Sequence, residues 1–183
     1  EAFYTSVKYS YAYEDKIQAG LLAEKDMGEP FWKPVHKGYD YYSFHLLLRD
    51  FKWLKTLAIG DYKVSFGQGL VISNDFSPSR SALVTQAERR NNGFRRHFST
   101  NESDFFRGAA ATVSFGNWDF SAFYSRRRID AALENDTFPS VQTSGLHRLQ
   151  RDWDKRKTVV MQTYGGNIRF ALPGNSPYQE SHW

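Results

Sequence analysis

The sequence predicts an all-β fold: an antiparallel up-and-down meander that forms part of a transmembrane β-barrel, with long loops carrying short helices. Three observations lead there. Apolar and polar residues alternate with period two over most of the chain. The connections between the alternating runs are in turn short and long, the rhythm of turns and loops in a membrane barrel. Aromatic residues are 17% of the 183, with 15 Phe and 11 Tyr. Such rings favour strands, and a membrane barrel uses them on its lipid face and in its interfacial girdles.

The first run puts Phe3, Val7, Tyr9, Tyr11 and Tyr13 on one face and Ser6, Lys8 and Ser10 on the other. Glu14-Asp15 breaks it. In the second, Ile17, Ala19, Leu21 and Ala23 oppose Gln18, Glu24 and Asp26, so the two runs read as a hairpin. A turn-rich stretch, 28–38, holds Pro30 and Pro34. Next, Tyr42, Phe44, Leu46 and Leu48 alternate with Ser43, His45 and Arg49. After a short break, the run Thr56–Ile72 sets Ala58, Tyr62, Val64 and Phe66 against Asp61, Lys63 and Ser65.

A long polar stretch, 73–106, follows. Strands are then expected at Arg107–Phe115 and Trp118–Arg126, joined by the tight-turn signal Gly116-Asn117. Phe120, Ala122 and Tyr124 share a face of the second. A further polar stretch, 129–158, leads to a last strand at about Val159–Leu172. Ser79–Asn91, capped by Ser79 or Ser81, and Leu146–Lys157, with Leu146, Leu149 and Trp153 at helical spacing, are the expected loop helices.

Seven runs of about the ~9–11 residues needed for a tilted crossing are visible, and bacterial barrels usually have an even number. Residues 1–183 therefore read as a single barrel fragment whose remaining strands lie elsewhere in a longer parent chain. No run approaches the ~18–20 apolar residues of a membrane helix. The absence of cysteine excludes disulfides, thiolate metal sites and cysteine nucleophiles. A formal charge of +4 does not demand nucleic acid as a partner. A half-buried soluble sheet alternates in the same way, its rings then forming an internal core, and remains a competing reading.

Candidate sites are few. Gly67-Gln68-Gly69 lacks the Gly-Lys-Ser/Thr of a phosphate loop and reads as a bulge or close packing within a strand. The five histidines, His36, His45, His97, His147 and His182, lack metal-motif spacing, and no nucleophile turn is present. No metal, cofactor or enzymatic activity is expected. Glu24, Asp26, Arg49, Asp61 and Lys63 are the candidate lumen lining, either a charged channel wall or ion pairs inside a filled barrel.

Arg89, Arg90, Arg95 and Arg96, with Phe94 and Phe98, form the best basic–aromatic cluster, suited to nucleic acid or a surface polymer. Yet 73–106 carries five Arg against four acids, a net of only +1, where a DNA-gripping loop should show a larger excess. Lipopolysaccharide is the alternative partner for these arginines. Arg126-Arg127-Arg128 reads as an anchor at the headgroup level.

Several stretches resemble a family of bacterial outer-membrane β-barrel proteins commonly described as helix-hairpin-helix domain-containing proteins. They are GLLAEKDMGEPFW (20–32), KGYDYYSFHLLL (37–48), LAIGDYKVSFGQGLVISNDF (57–76), NESDFFRGAAATVSFGNWDFSAFYSRRRIDA (101–131) and FPSVQTSGLHR (138–148). The most specific parts are Gly60-Asp61, Phe66-Gly67-Gln68-Gly69-Leu70 and Phe105-Phe106-Arg107-Gly108. The resemblance covers about residues 17–170. It implies a Gram-negative outer-membrane barrel of structural or transport type in contact with lipid and lipopolysaccharide. It implies no reaction and no substrate, and no DNA role accompanies it, because the helix-hairpin-helix part is not among these residues.

Overall fold

A pleated strand sends successive side chains to opposite faces, and β-branched and aromatic residues fit that surface best. A computed structural model shows where this chain does so. It describes residues 3–27, 32–33, 36–39, 41–67, 71–74, 93–101, 103–134, 137–142 and 159–171; for 32–33, 36–37, 130–134 and 137–142 it describes the backbone alone. β1 (Thr5–Tyr13) and β2 (Ile17–Lys25) form the first hairpin. β3 (Trp32–Lys33) and β4 (His36–Lys37) make a small separate sheet.

The main sheet continues with β5 (Tyr41–Phe51), β6 (Leu54–Phe66), β7 (Ile72–Ser73), β8 (Gly93–Arg96), β9 (Phe106–Phe115), β10 (Trp118–Glu134), β11 (Thr137–Gln142) and β12 (Val159–Phe170). Its seven long strands run antiparallel in chain order, β1-β2-β5-β6-β9-β10-β12. The expected up-and-down meander is therefore present. Among the described residues no pairing joins β1 to β12, so the sheet is open.

Three short turns lie at one end of the sheet: 14–16, 52–53 and 116–117. Gly116 takes the first central position of the last with φ +59, where glycine adds no steric cost. Along the strands the two faces differ sharply. One carries the cross-strand row Tyr11–Ala19–Leu46–Ile59–Ala109–Tyr124–Tyr164, one residue from each of the seven strands. It is apolar throughout and faces solvent. The inner face carries the core: Leu47, Ala58, Ala110 and Phe123 pack with Tyr62, Val64, Phe66, Phe94 and Phe106.

That core exists because β6 bends. A straight strand would hold Thr56 and Phe66 about 33 Å apart at ~3.3 Å per residue, yet both line one cleft. The last β5–β6 pair is His45 with Gly60. Beyond it β8 takes the vacated edge of β6, from Tyr62 opposite Arg96 to Ser65 opposite Gly93. Gly60 (φ +90) faces Gly108 (φ +157) across β6 and β9. A Cβ on Gly60 would strike the Phe44 carbonyl and ring, and one on Gly108 the Tyr124 carbonyl. Past this pair the end of β6, with β7 and β8, forms a flap packed on the inner face.

Four expectations are corrected. The run 56–72 is not one strand: β6 ends at Phe66, Gly67 turns the chain with φ +61, and β7 returns along it. Gly67 thus serves a turn rather than a bulge within a strand. The polar stretch 73–106 contains β8, hidden in sequence because Arg95 and Arg96 flank its buried Phe94. The polar stretch 129–158 begins as strand, since β10 runs to Glu134 and pairs with β11. The turn-rich stretch 28–38 contains β3 and β4. The two expected loop helices, 79–91 and 146–157, lie outside the described residues.

The glycine pair gives a direct test. Gly108→Ala is expected to cost more than ~3 kcal/mol, through strain plus backbone collision. Gly116→Ala has a positive φ but open space around it, and should cost only about 1–2 kcal/mol. Urea unfolding of the refolded variants measures both; equal losses would remove the kink from the account.

Candidate functional site

A carboxylate out of water needs a charged or hydrogen-bonding partner, or it loses its charge. Asp61, directly after Gly60, is fully buried. Its partner is Arg107, opposite it on β9. Nε donates to Oδ1 at 2.6 Å and Nη2 to Oδ2 at 2.7 Å, a bidentate pair. Nη2 also donates to the Tyr42 carbonyl at 2.8 Å, on the stretch of β5 that has left β6. One guanidinium thus ties β5, β6 and β9 together at the split in the ladder.

Residues 97–105, joining β8 to β9, fold against this pair. Asn101 Oδ1 shapes the segment by accepting from the amides of Ser103 (2.8 Å) and Asp104 (3.1 Å). Arg127 Nη1, from β10, donates to the carbonyls of Ser103 (2.7 Å) and Phe105 (2.9 Å). Its guanidinium lies 4.6 Å from the centre of the Phe105 ring. On that ring stacks His97, 4.6 Å between centroids and 17° between planes. His97 is fully buried, its amide donates to the Asp61 carbonyl at 3.1 Å, and Nε2 lies 3.4 Å from the Tyr41 hydroxyl. Burial lowers the His97 pKa to about 4, against the opposing pull of nearby Asp61. The ring is therefore neutral at pH 7.

The expected lumen residues do not form one charged wall. Asp61 is sealed off by Arg107. Glu24 is buried opposite Tyr41, while Arg49 is half-buried opposite Thr56. Tyr41 and Arg49 are eight residues apart along β5, roughly 26 Å. Lys63 is half-buried, with Nζ donating to the Asn74 carbonyl at 3.2 Å. Asp26, just past β2, is half-buried as well.

The basic–aromatic cluster fares differently from its expectation. Phe94 is 2% exposed in the core, and Phe98 packs edge-on against His45 at 5.1 Å, so neither presents a free face for stacking. Arg95 and Arg96 are exposed on β8; Arg89 and Arg90 lie outside the described residues. Arg127 is also corrected: Arg126 and Arg128 point outward, but Arg127 turns in to hold the 97–105 segment. Sequence reasoning missed Arg107, Arg127 and His97 as partners. The segments around Gly60-Asp61 and Arg107-Gly108 had both stood out, and register now places them opposite each other.

Chemically, the arrangement is a clamp. Among the described residues no group of three or more His, Cys, Asp or Glu could hold a metal ion. No family model, no curated protein and no solved structure matches the chain.

Removing one partner of the pair strands the other. Asp61→Asn is expected to destabilise towards the low end of the ~3–5 kcal/mol typical of broken buried pairs, because Arg107 is partly solvated. A loss under 1 kcal/mol in urea titration would show the clamp to be dispensable. His97 supplies a pH test. Its folded pKa lies below the ordinary 6.5, so its contribution is full above pH 6.5, falls as pH drops towards 4, and is gone below. The unfolding midpoint of His97→Phe, compared with wild type, should lack this part of the acid dependence; identical profiles would contradict a buried neutral ring.

Proposed function

We propose that this chain is part of an outer-membrane β-barrel of structural or transport type. The supporting observation is the outward row of seven apolar residues, one per long strand, on a face that no layer covers among the described residues. A soluble antiparallel sheet turns its apolar face to a core and its polar face to water. Here the polar rows lie on the core-bearing side. Exposed Tyr9, Leu21, Phe44 and Phe120 widen the apolar face, and contiguous apolar faces are rare on soluble monomers.

The rims agree with this reading. Trp53, Phe115, Trp118 and Phe170, all exposed, gather at the short-turn end as a girdle would. At the other end Arg126 and Arg128 point outward, where long basic side chains reach headgroups at little cost. Lipid does not tolerate an open sheet edge. In this reading β1 and β12 are therefore completed by further strands of a longer parent chain.

Two measurements test it. The full-length parent protein should fractionate with the outer membrane and change gel mobility on boiling; soluble protein without a heat-dependent shift would end the proposal. Tyr124→Arg, mid-row on the outward face, should cost about 2–4 kcal/mol for a barrel in lipid. On a water-facing surface the same change stays within about ±0.5 kcal/mol.

A further inference from the structure

Between the flap and the short-turn end of the inner face lies an open cleft with about 80 Å³ of room for water-sized groups. Two cross-strand rows form its wall. In the first, Thr56, Thr112, Ser121 and Asn167 stand side by side on β6, β9, β10 and β12. The second, nearer the turns, holds Lys55, Asp119 and Arg169. Asp119 Oδ2 accepts from Lys55 Nζ at 3.0 Å and from Arg169 Nη2, and Ser114 donates to Oδ1. The flap contributes Phe66 and Phe94, their rings edge to face at 5.2 Å.

The chemistry of this wall is asymmetric. Lys55 and Arg169 both donate to the Asp119 carboxylate, and Arg49 adds a third cation beside Thr56 on the same face. Arg169 engages Asp119 through Nη2, which leaves Nε and Nη1 of its planar fork for a second acceptor. The side chains of Lys55 and Arg169 are about one-third exposed, so the cations are reachable. Two residues along the strand, roughly 7 Å away, the hydroxyl and amide row begins.

We propose that this cleft binds a small hydroxylated anion of the sugar-acid or sugar-phosphate class. The anionic oxygens sit on the Arg169 fork beside Lys55. The hydroxyls of the same solute reach Asn167 and Thr56, and its carbon skeleton lies towards Phe66 and Phe94. The inference deepens the barrel reading, on which the cleft opens to the aqueous interior. Its residues and contacts are the same if the protein proves soluble.

The test is calorimetric titration of the full-length protein, in micelles or in buffer as fractionation dictates. The probes are gluconate and glucose 6-phosphate, with acetate and glucose as single-feature controls. Saturable binding of at least one hydroxylated anion, tighter than acetate or glucose, is expected; which of the two binds more tightly identifies the anionic group. Arg169→Gln should weaken that binding about tenfold, the worth of one charge-assisted hydrogen bond. Asn167→Ala, outside the ion network, should weaken it several-fold and leave any acetate response unchanged.

The proposal is overturned if neither probe binds, if acetate matches them, or if Arg169→Gln binds as wild type does. Heat-modifiable, outer-membrane protein that fails to bind would sink this inference alone. Soluble protein that binds would sink the barrel reading alone.

Discussion

The Asp61–Arg107 pair is the contact on which the rest of this architecture turns. A sheet that splits one of its ladders leaves carbonyls without donors, and a buried carboxylate is costly without a cation. One guanidinium answers both needs, closing bidentate on Asp61 and reaching the Tyr42 carbonyl on the departing strand. Gly60 and Gly108 supply the backbone freedom for the split, at a cross-strand pair where a Cβ on either residue would collide with main chain. The flap, its core and the 97–105 segment all lie downstream of that arrangement.

The flap explains why the inner face has a core at all. Rings meet where the flap folds over it, as Phe94 packs against Phe66, Tyr62 and Phe123, and in a smaller cluster where Phe105 and Phe98 meet Tyr41 and His45. Towards the short turns that face is hydroxyls, amides and ion pairs. Burial is thus local. It does not extend to the outward face, whose apolar rows gain nothing from the protein's own packing. An apolar surface in water carries a penalty of ~25 cal/mol per Å², which is the thermodynamic argument behind the proposed lipid setting.

Much of the sheet was legible in sequence because period two is a strong local signal. The seven long strands, and the sharing of one face by Tyr9, Tyr11 and Tyr13 and by Phe120 and Tyr124, follow from alternation alone; that these rings are exposed does not. What alternation does not encode is a bend. Thr56 to Ile72 reads as one run because turning at Gly67 leaves the composition of the returning residues unchanged. β10 hides its continuation behind Arg126-Arg127-Arg128, where two arginines face out and the third caps carbonyls of another segment. His97 has no periodic signature, since its burial is created by Phe105 and Tyr41, distant in sequence. The clamp likewise joins positions 46 residues apart, and only the register of β6 with β9 brings them face to face.

The two ends of the inner face are built for opposite purposes. At the split, charge is sealed: Asp61 is saturated by Arg107, and His97 is neutral under Phe105. Towards the short turns, charge is left within reach, with Lys55 and Arg169 partly exposed around the Asp119 carboxylate. The flap links the two, since the bend stabilised by the clamp is what carries Phe66 and Phe94 over the Thr56–Asn167 row. A change at Asp61 therefore acts on the cleft without touching it, by loosening the wall that faces the cations. The structural pair and the candidate binding surface are parts of one construction, and the clamp's contribution to the cleft is positional rather than electrostatic.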